Sequence, residues 1–286
     1  MASTASSLQT IAGITELRAT LSAARAAGRR IAFVPTMGAL HEGHLTLIDT
    51  ARAAGDLVVM SIFVNPLQFA PGEDYQRYPR VLAEDTLLAE QRGVDVLFTP
   101  SREEIYGQTP VVTVHPGNIG KEWEGVARPQ HFEGVLTVVA KLFNIVEPAV
   151  AVFGQKDLQQ VAVVKAMVRD LDFPLEVLVV PIVREADGLA MSSRNRFLAG
   201  KERELATMLS KALFKLRGTF AGGERRASAL EAVGWRMLER LPGLTPRYLA
   251  AVSPTTFQRV NIVQPGDAAI GAIRVGDTRL IDNIIF

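Results

Sequence analysis

Val34-Pro35-Thr36-Met37-Gly38-Ala39-Leu40-His41-Glu42-Gly43-His44 is the stretch on which the reading of this chain turns. It lies where an apolar strand, Ile31 to Val34, gives way to a helix that begins near Gly43. Of the four histidines in the chain, two fall here, three positions apart, a spacing that sets side chains on one face of a helical turn. The glycine-containing loop lets backbone approach a ligand, and a helix start offers N–H groups and a positive dipole end. Two imidazoles beside an anion-binding terminus suit a triphosphate whose α-phosphorus is under attack. The bland reading is a strand-to-helix turn with two solvated histidines, and the strand–loop–helix context weighs against it.

Outward from this loop, strands and helices alternate. The helix runs to about Ala54, with Gly55 as its stop. Leu57 to Val64 is a β-branched apolar run, the pattern of a strand buried on both faces. A helix over Val81 to Arg92, a strand over Val94 to Thr99 and a short strand over Val111 to Val114 follow. Gly134 to Val146 has helical length, Val150 to Phe153 is a strand, Leu158 to Leu171 a helix and Leu175 to Val183 a strand. Such alternation predicts an α/β fold, a Rossmann-like doubly wound parallel sheet over residues 1–183. No Gly-x-Gly-x-x-Gly follows the first strand, so a dehydrogenase-type dinucleotide site is unsupported.

Near residue 184 the pattern changes. Lys201 to Arg217 and Ser228 to Arg240 read as helices, and Arg247 to Val252, Ala268 to Arg274 and Arg279 to Ile285 as strands. Residues 184–286 are expected to form a smaller α+β domain.

With 286 residues and 48% hydrophobic content the chain can bury full cores without staples. A net charge of +1 argues for no nucleic-acid partner. The absence of cysteine removes thiolate nucleophiles and cysteine-held metal. Residues 1–10 lack the basic-then-apolar order of a signal peptide. The apolar window Val135 to Val152 is broken by Lys141, Asn144, Glu147 and Pro148, so no membrane span is expected. A cytoplasmic enzyme is the default.

In an open α/β sheet ligands bind beyond the carboxyl ends of strands. Four polar clusters meet that test: the His41/His44 loop, Asn65-Pro66-Leu67-Gln68, Gly154-Gln155-Lys156-Asp157, and Arg184 to Arg196. Each has an ordinary reading as turn, cap or solvated pair; their convergence on one edge carries the argument. A zinc hydrolase is disfavoured, because the zincin helix spaces its histidines by four and no third ligand lies close.

These segments resemble the pantoate–β-alanine ligase family, within the HxGH-bearing adenylate-forming superfamily. The resemblance rests on Pro35 to His44, Phe63-Val64-Asn65-Pro66-Leu67-Gln68-Phe69, Tyr78-Pro79-Arg80, Arg128-Pro129-Gln130-His131-Phe132, Gly154 to Asp157 and Arg184 to Asn195. It is dense over about residues 30–200 and looser beyond, chiefly through Arg279-Leu280-Ile281-Asp282-Asn283. His-x-Gly-His alone is shared by many nucleotidyl transferases, whereas Asn-Pro-x-Gln-Phe with Met-Ser-Ser-Arg-Asn is far more specific.

The resemblance implies ATP, accompanied by Mg2+, as a substrate and no organic cofactor. Pantoate would be activated as pantoyl adenylate and then attacked by β-alanine. It places Met37, Gly38, Ala39, Leu40, His41, Glu42, Gly43 and His44 along ATP, with His44 as the acid or phosphate-stabilising residue and His41 its partner. Lys156 would lie against the polyphosphate, with Gly154, Gln155 and Asp157 completing that loop. Val183 would offer backbone to adenine, while Met191, Ser192, Ser193 and Arg194 would clamp the phosphates from a lid formed by the C-terminal domain. Gln68 and Gln160 would hold pantoate, Gln68 would also touch β-alanine, and Asn65 and Arg128 are lesser candidates for the same pocket. His115 and His131 are expected to be structural. A homodimer built on the N-terminal domain is implied. The competing readings are another nucleotidyl transferase of the superfamily and a nucleotide-binding module without turnover.

Overall fold

The computed structural model describes residues 8–286. The expectation for the first ten residues falls largely on 1–7, outside the described residues. The chain divides into two compact units: one runs through Gly154 and takes in Val163–Val180, and the other comprises Gln155–Ala162 with Pro181–Phe286.

Among the described residues, the first unit holds the strands β1 (Gln9–Ile11), β2 (Ile31–Thr36), β3 (Leu57–Ile62), β4 (Val96–Phe98), β5 (Val150–Gly154) and β6 (Glu176–Val180). They form one sheet in the order β1-β4-β3-β2-β5-β6, and every pairing is parallel. The helices between them are α1 (Ile14–Ala26), α2 (Glu42–Ala54), α3 (Leu82–Gln91), α4 (Arg102–Tyr106), α5 (Glu124–Ala127), α6 (His131–Val146) and α7 (Leu158–Asp170). This is the expected Rossmann-like architecture. Strands buried on both faces need no alternation, which is why Ile31 to Val34 and Leu57 to Met60 are apolar and buried throughout. α2 turns Leu45, Leu47, Ile48 and Ala51 onto the sheet, where they pack with Val34, Met60, Val150 and Val152. Each buried Leu or Ile contributes about 1.5–3 kcal/mol.

The fold departs from the expectations in two places. β1 and α1 precede the first expected strand, and α1 buries Leu17, Leu21 and Ala24 at helical spacing. Val111 to Val114 is not a strand: Val111 and Val112 are 98% and 83% exposed. The backbone here is held by a side chain of α6 instead of a ladder, Val114 N–H donating to Thr137 Oγ1 at 3.1 Å.

The second unit contains α8 (Gly200–Ala221), α9 (Ala227–Leu238) and an antiparallel sheet of β7 (Leu244–Val252), β8 (Ala268–Val275) and β9 (Thr278–Ile285). Its core joins Leu209, Leu213 and Leu216 of α8 to Leu230 and Leu238 of α9 and to Leu249, Ile273 and Ile284 of the sheet.

Candidate active site

The order of strands in the first unit selects a place for the site. From β2 the chain builds outward through β3 and β4, then returns to add β5 and β6 on the other side of β2. The sheet therefore reverses its direction of growth between β2 and β5, and crevices at such switch points, beyond the carboxyl ends of the strands, bind ligands. The register aligns those ends: Thr36 pairs with Ile62, and Gly154 with Val180. β2 runs into Met37 to His44, β3 into Asn65 to Gln68, and β5 into Gln155 to Asp157.

The loop after β2 is held in a conformation that ordinary residues resist. Gly38 has φ 79° and Ala39 φ 52°, the left-handed region in which a Cβ is disfavoured. Asp85 of α3, 2% exposed, keeps the loop there: Ala39 N–H donates to Oδ2 at 2.8 Å and Leu40 N–H to Oδ1 at 2.7 Å. Hydrogen bonds to an ionised acceptor are about twice as strong as neutral ones.

Further backbone groups are engaged locally. Gly38 N–H donates to Thr36 Oγ1 at 3.2 Å, His41 N–H to His44 Nδ1 at 3.3 Å and Gly43 N–H to His41 Nδ1 at 3.1 Å. His44 and Leu45 N–H both donate to the His41 carbonyl. The helix start is thus a reciprocal capping box built from imidazoles, and most of the N–H groups expected to face an anion are already paired.

The same bonds fix the histidine chemistry. His41 is the N-cap of α2, with φ −144°, so it precedes the helical turn that carries His44. The two ring centroids lie 4.1 Å apart. Because each Nδ1 accepts from backbone, a neutral ring at either position carries its proton on Nε2. Both side chains are therefore Nε2–H donors, the polarity that phosphate oxygens require.

Beyond β3, Asn65 and Gln68 are buried at 1% and 8% exposure. Asn65 Oδ1 accepts from Leu67 N–H at 3.3 Å and from the Tyr106 hydroxyl at 2.8 Å. Asn65 Nδ2 donates to Gln68 Oε1 at 3.1 Å and to the Gly134 carbonyl at 3.0 Å. Gly134 allows α6 to approach, since a Cβ there would collide with the Leu67 carbonyl. Gln68 Nε2 donates to Met37 Sδ at 2.9 Å.

Arg128 lies under the same turn. Its Nε and Nη2 each donate to Glu73 at 2.7 Å, while Nη2 also reaches the Gln68 carbonyl at 3.3 Å. His131 Nδ1 is 2.8 Å from that carbonyl and Arg128 Nη1 3.2 Å from His131 Nε2. An Nδ1–H tautomer satisfies both contacts. Burial works to raise the Glu73 carboxyl, but the hydrogen bonds and charge of Arg128 prevail and hold it below its ordinary value. His115, by contrast, caps its own turn, its Nδ1 accepting from Gly117 N–H at 3.1 Å.

In the second unit, Gln155–Asp157 form one 3-10 turn leading into α7. Asn283 of β9 anchors it, donating through Nδ2 to the carbonyls of Gln155 and Lys156 at 3.0 Å each and accepting from Gln155 Nε2 at 3.0 Å. Lys156 Nζ lies 3.6 Å from Asp157 Oδ1. Gln160 follows within the first turn of α7.

Val183 leads into a tight turn. Its carbonyl accepts from Met191 N–H at 3.0 Å, and Arg184 bridges Ala190. Arg184 forks onto buried Asp282 at 2.7 and 2.9 Å. Ser192 then caps a 3-10 turn, Ser193–Phe197, accepting from Arg194 N–H at 3.3 Å. Met191, Ser192, Ser193 and Arg194 therefore follow one another from turn into turn.

Sequence reasoning missed Asp85, Glu73, Tyr106 and the anchoring role of Asn283. Asp85 sits in an unremarkable run of helix formers, and no local pattern marks its reach across 46 positions to Ala39.

Comparison with known proteins converges on one family. A family model described as pantoate-beta-alanine ligase matches residues 9–285. Pantothenate synthetase 1 of Bradyrhizobium diazoefficiens is 49% identical over 97% of this chain and 98% of its own length. The crystal structure of pantothenate synthetase from Thermus thermophilus superposes with a TM-score of 0.92 at 46% identity, over 97% of this chain and 99% of that one. A pantoate-beta-alanine ligase from Francisella tularensis, crystallised with Beta-gamma ATP and Beta-alanine, has a TM-score of 0.79 at 33% identity over 97% of each chain. With the switch-point loop, the buried amide pair and near full-length likeness in agreement, the chain belongs to the pantoate–β-alanine ligase family.

Proposed function

We propose that this chain joins pantoate to β-alanine at the expense of ATP, through a pantoyl-adenylate intermediate. The observation that carries the reading is the pair of imidazoles locked as Nε2–H donors at the switch point. A pantoate carboxylate oxygen attacks the α-phosphorus of magnesium-bound ATP, the bond to the β-phosphate oxygen breaks, and pyrophosphate leaves. The β-alanine amine then attacks the acyl carbon, the bond to the phosphate oxygen breaks, and AMP leaves. His44 and His41 donate to phosphate oxygens as charge builds, and Lys156 neutralises the polyphosphate. Ser192, Ser193 and Arg194 complete the phosphate shell, with Gly154, Gln155 and Asp157 shaping the nucleotide loop and Val183 contacting adenine. Gln68 and Gln160 hold pantoate, and Gln68 also serves β-alanine. Asn65 serves the pocket through Gln68, since both its amide hydrogens and its oxygen are already engaged, and Arg128 is a lesser candidate for the same pocket.

Pantoate labelled with heavy oxygen in its carboxylate tests the route. Label passes to AMP, and pyrophosphate is the other phosphorus product. Label-free AMP, or ADP and phosphate, would sink it.

The C-terminal unit is proposed as a lid that excludes water from the reactive mixed anhydride. A homodimer is proposed as well, supported by the exposed, β-branched Val111-Val112 run, which has no strand beside it among the described residues of a single chain. Light scattering at micromolar concentration reads it, and a one-chain mass would overturn it. A cytoplasmic setting is proposed too; no helix among the described residues is long and apolar enough to cross a membrane.

A further inference from the structure

We infer that Tyr106 is a positioning residue for pantoate, acting through Asn65 to set which end of the Gln68 amide meets the substrate. The inference rests on the functional reading above. An amide side chain can present either a donor or an acceptor, and a pocket built to recognise hydroxyls and a carboxylate needs one orientation held. Here a chain of polar contacts makes the choice. The Tyr106 hydroxyl donates to Asn65 Oδ1 at 2.8 Å, so the Asn65 amide must turn Nδ2 toward Gln68. Asn65 Nδ2 then donates to Gln68 Oε1 at 3.1 Å, which leaves Gln68 Nε2 as the outward donor.

Reversal is penalised at each link. A flipped Asn65 would turn its oxygen toward the Gly134 carbonyl, which now accepts from Nδ2, and its NH2 toward both Leu67 N–H and the Tyr106 hydroxyl. A flipped Gln68 would set two NH2 groups against each other in a site that is nearly dry, where an unmatched polar group is costly. Burial pushes the Tyr106 phenol well above its ordinary range, so the proton that orients the relay stays in place at neutral pH.

The acceptor that Gln68 Nε2 meets in this structure is Met37 Sδ, at 2.9 Å. A thioether is a weak acceptor, and a carboxylate or hydroxyl oxygen displaces it readily. Gln68 therefore acts as a donor toward substrate, and Tyr106, which stands one residue beyond Gln68's own partner, is what keeps it so.

Tyr106→Phe tests the relay, since it removes one oxygen and leaves the ring in place against Phe63, whose centroid is 6.1 Å away. The KM for pantoate rises about three- to tenfold, the scale of one lost hydrogen bond, while the KM for ATP stays within about twofold. In a Gln68→Ala background the same substitution adds less than about twofold, because there is no amide left to orient. If Tyr106→Phe fails to fold, Asn65→Ser carries the test. Serine can still cap Leu67 N–H but falls short of Gln68, and the same pantoate-selective loss is expected. An unchanged pantoate KM in an active variant, or an equal loss with and without Gln68, would overturn the relay while leaving the functional reading intact. A wild-type protein that makes no pantothenate would overturn the reading itself, and the pantoate role of Tyr106 with it.

Discussion

At the scale of single residues, the proposed function asks some groups to touch substrate and others to hold those in place. Lys156 belongs to the first kind in the reading above. Its role is confined to the step in which pyrophosphate departs, because by the time β-alanine attacks, the polyphosphate is gone. Lys156→Ala is therefore expected to slow adenylate formation by about 10²–10³-fold, the usual scale for losing a preorganised charge-stabilising group. Isolated pantoyl adenylate should be converted by the same variant with much less impairment. Rapid-quench measurement of each half-reaction separates the two, and an equal loss in both would assign Lys156 to structure. The residues proposed to face substrate were legible as candidates, since His41, His44, Gln68, Lys156 and Arg194 stand in short runs that announce themselves. Their supports were not. Glu73, Tyr106 and Asp85 act across 55, 41 and 46 positions respectively, and no spacing rule connects residues so far apart.

Elements set how firmly that chemistry is held. The loop between β2 and α2 was expected to offer backbone N–H groups to an anion. In the structure the N–H groups of Gly38, Ala39, Leu40, His41 and Gly43 already have partners. The loop is a rigid mount for its side chains, and α3 supplies the clamp. Asp85→Asn preserves shape but has one oxygen where two are needed, and its NH2 must face a backbone N–H. The left-handed turn at Gly38 and Ala39 should loosen, and with it the histidine rings. We expect the KM for ATP to rise about tenfold or more, consistent with losing one charged hydrogen bond and stranding a second donor. Initial-rate measurements over ATP concentration check this. A lowered melting temperature with unchanged ATP dependence would make Asp85 an ordinary core residue. The strand expected at Val111 to Val114 shows the opposite limit of pattern reading. Its β-branched run is real, but a ladder needs a neighbour, and in one chain the neighbouring groups are side chains of α6.

For the whole molecule, the change of pattern near residue 184 was visible because strand–helix alternation stops there. The grouping of Gln155–Ala162 with the C-terminal unit was not visible. It depends on Asn283 reaching the Gln155 and Lys156 carbonyls across 128 and 127 positions. The proposed lid makes a prediction about where order is gained when substrates arrive. Residues 184–190 already close a turn on themselves, with Glu185 N–H on Leu189 O and Gly188 N–H on Glu185 O, both at 2.8 Å. Ser193–Phe197 is a single short 3-10 turn whose start is held by Ser192, through Arg194 and Asn195 N–H. Short 3-10 turns have poorer hydrogen-bond geometry and open easily. If Ser192, Ser193 and Arg194 close on the phosphates, ATP and pantoate added together should slow amide exchange across residues 184–196. The gain should concentrate after residue 191, because the preceding turn has little left to gain. Hydrogen exchange read by mass spectrometry resolves the two segments. Exchange after residue 191 that stays unchanged while turnover proceeds would mean that the second unit does something other than close.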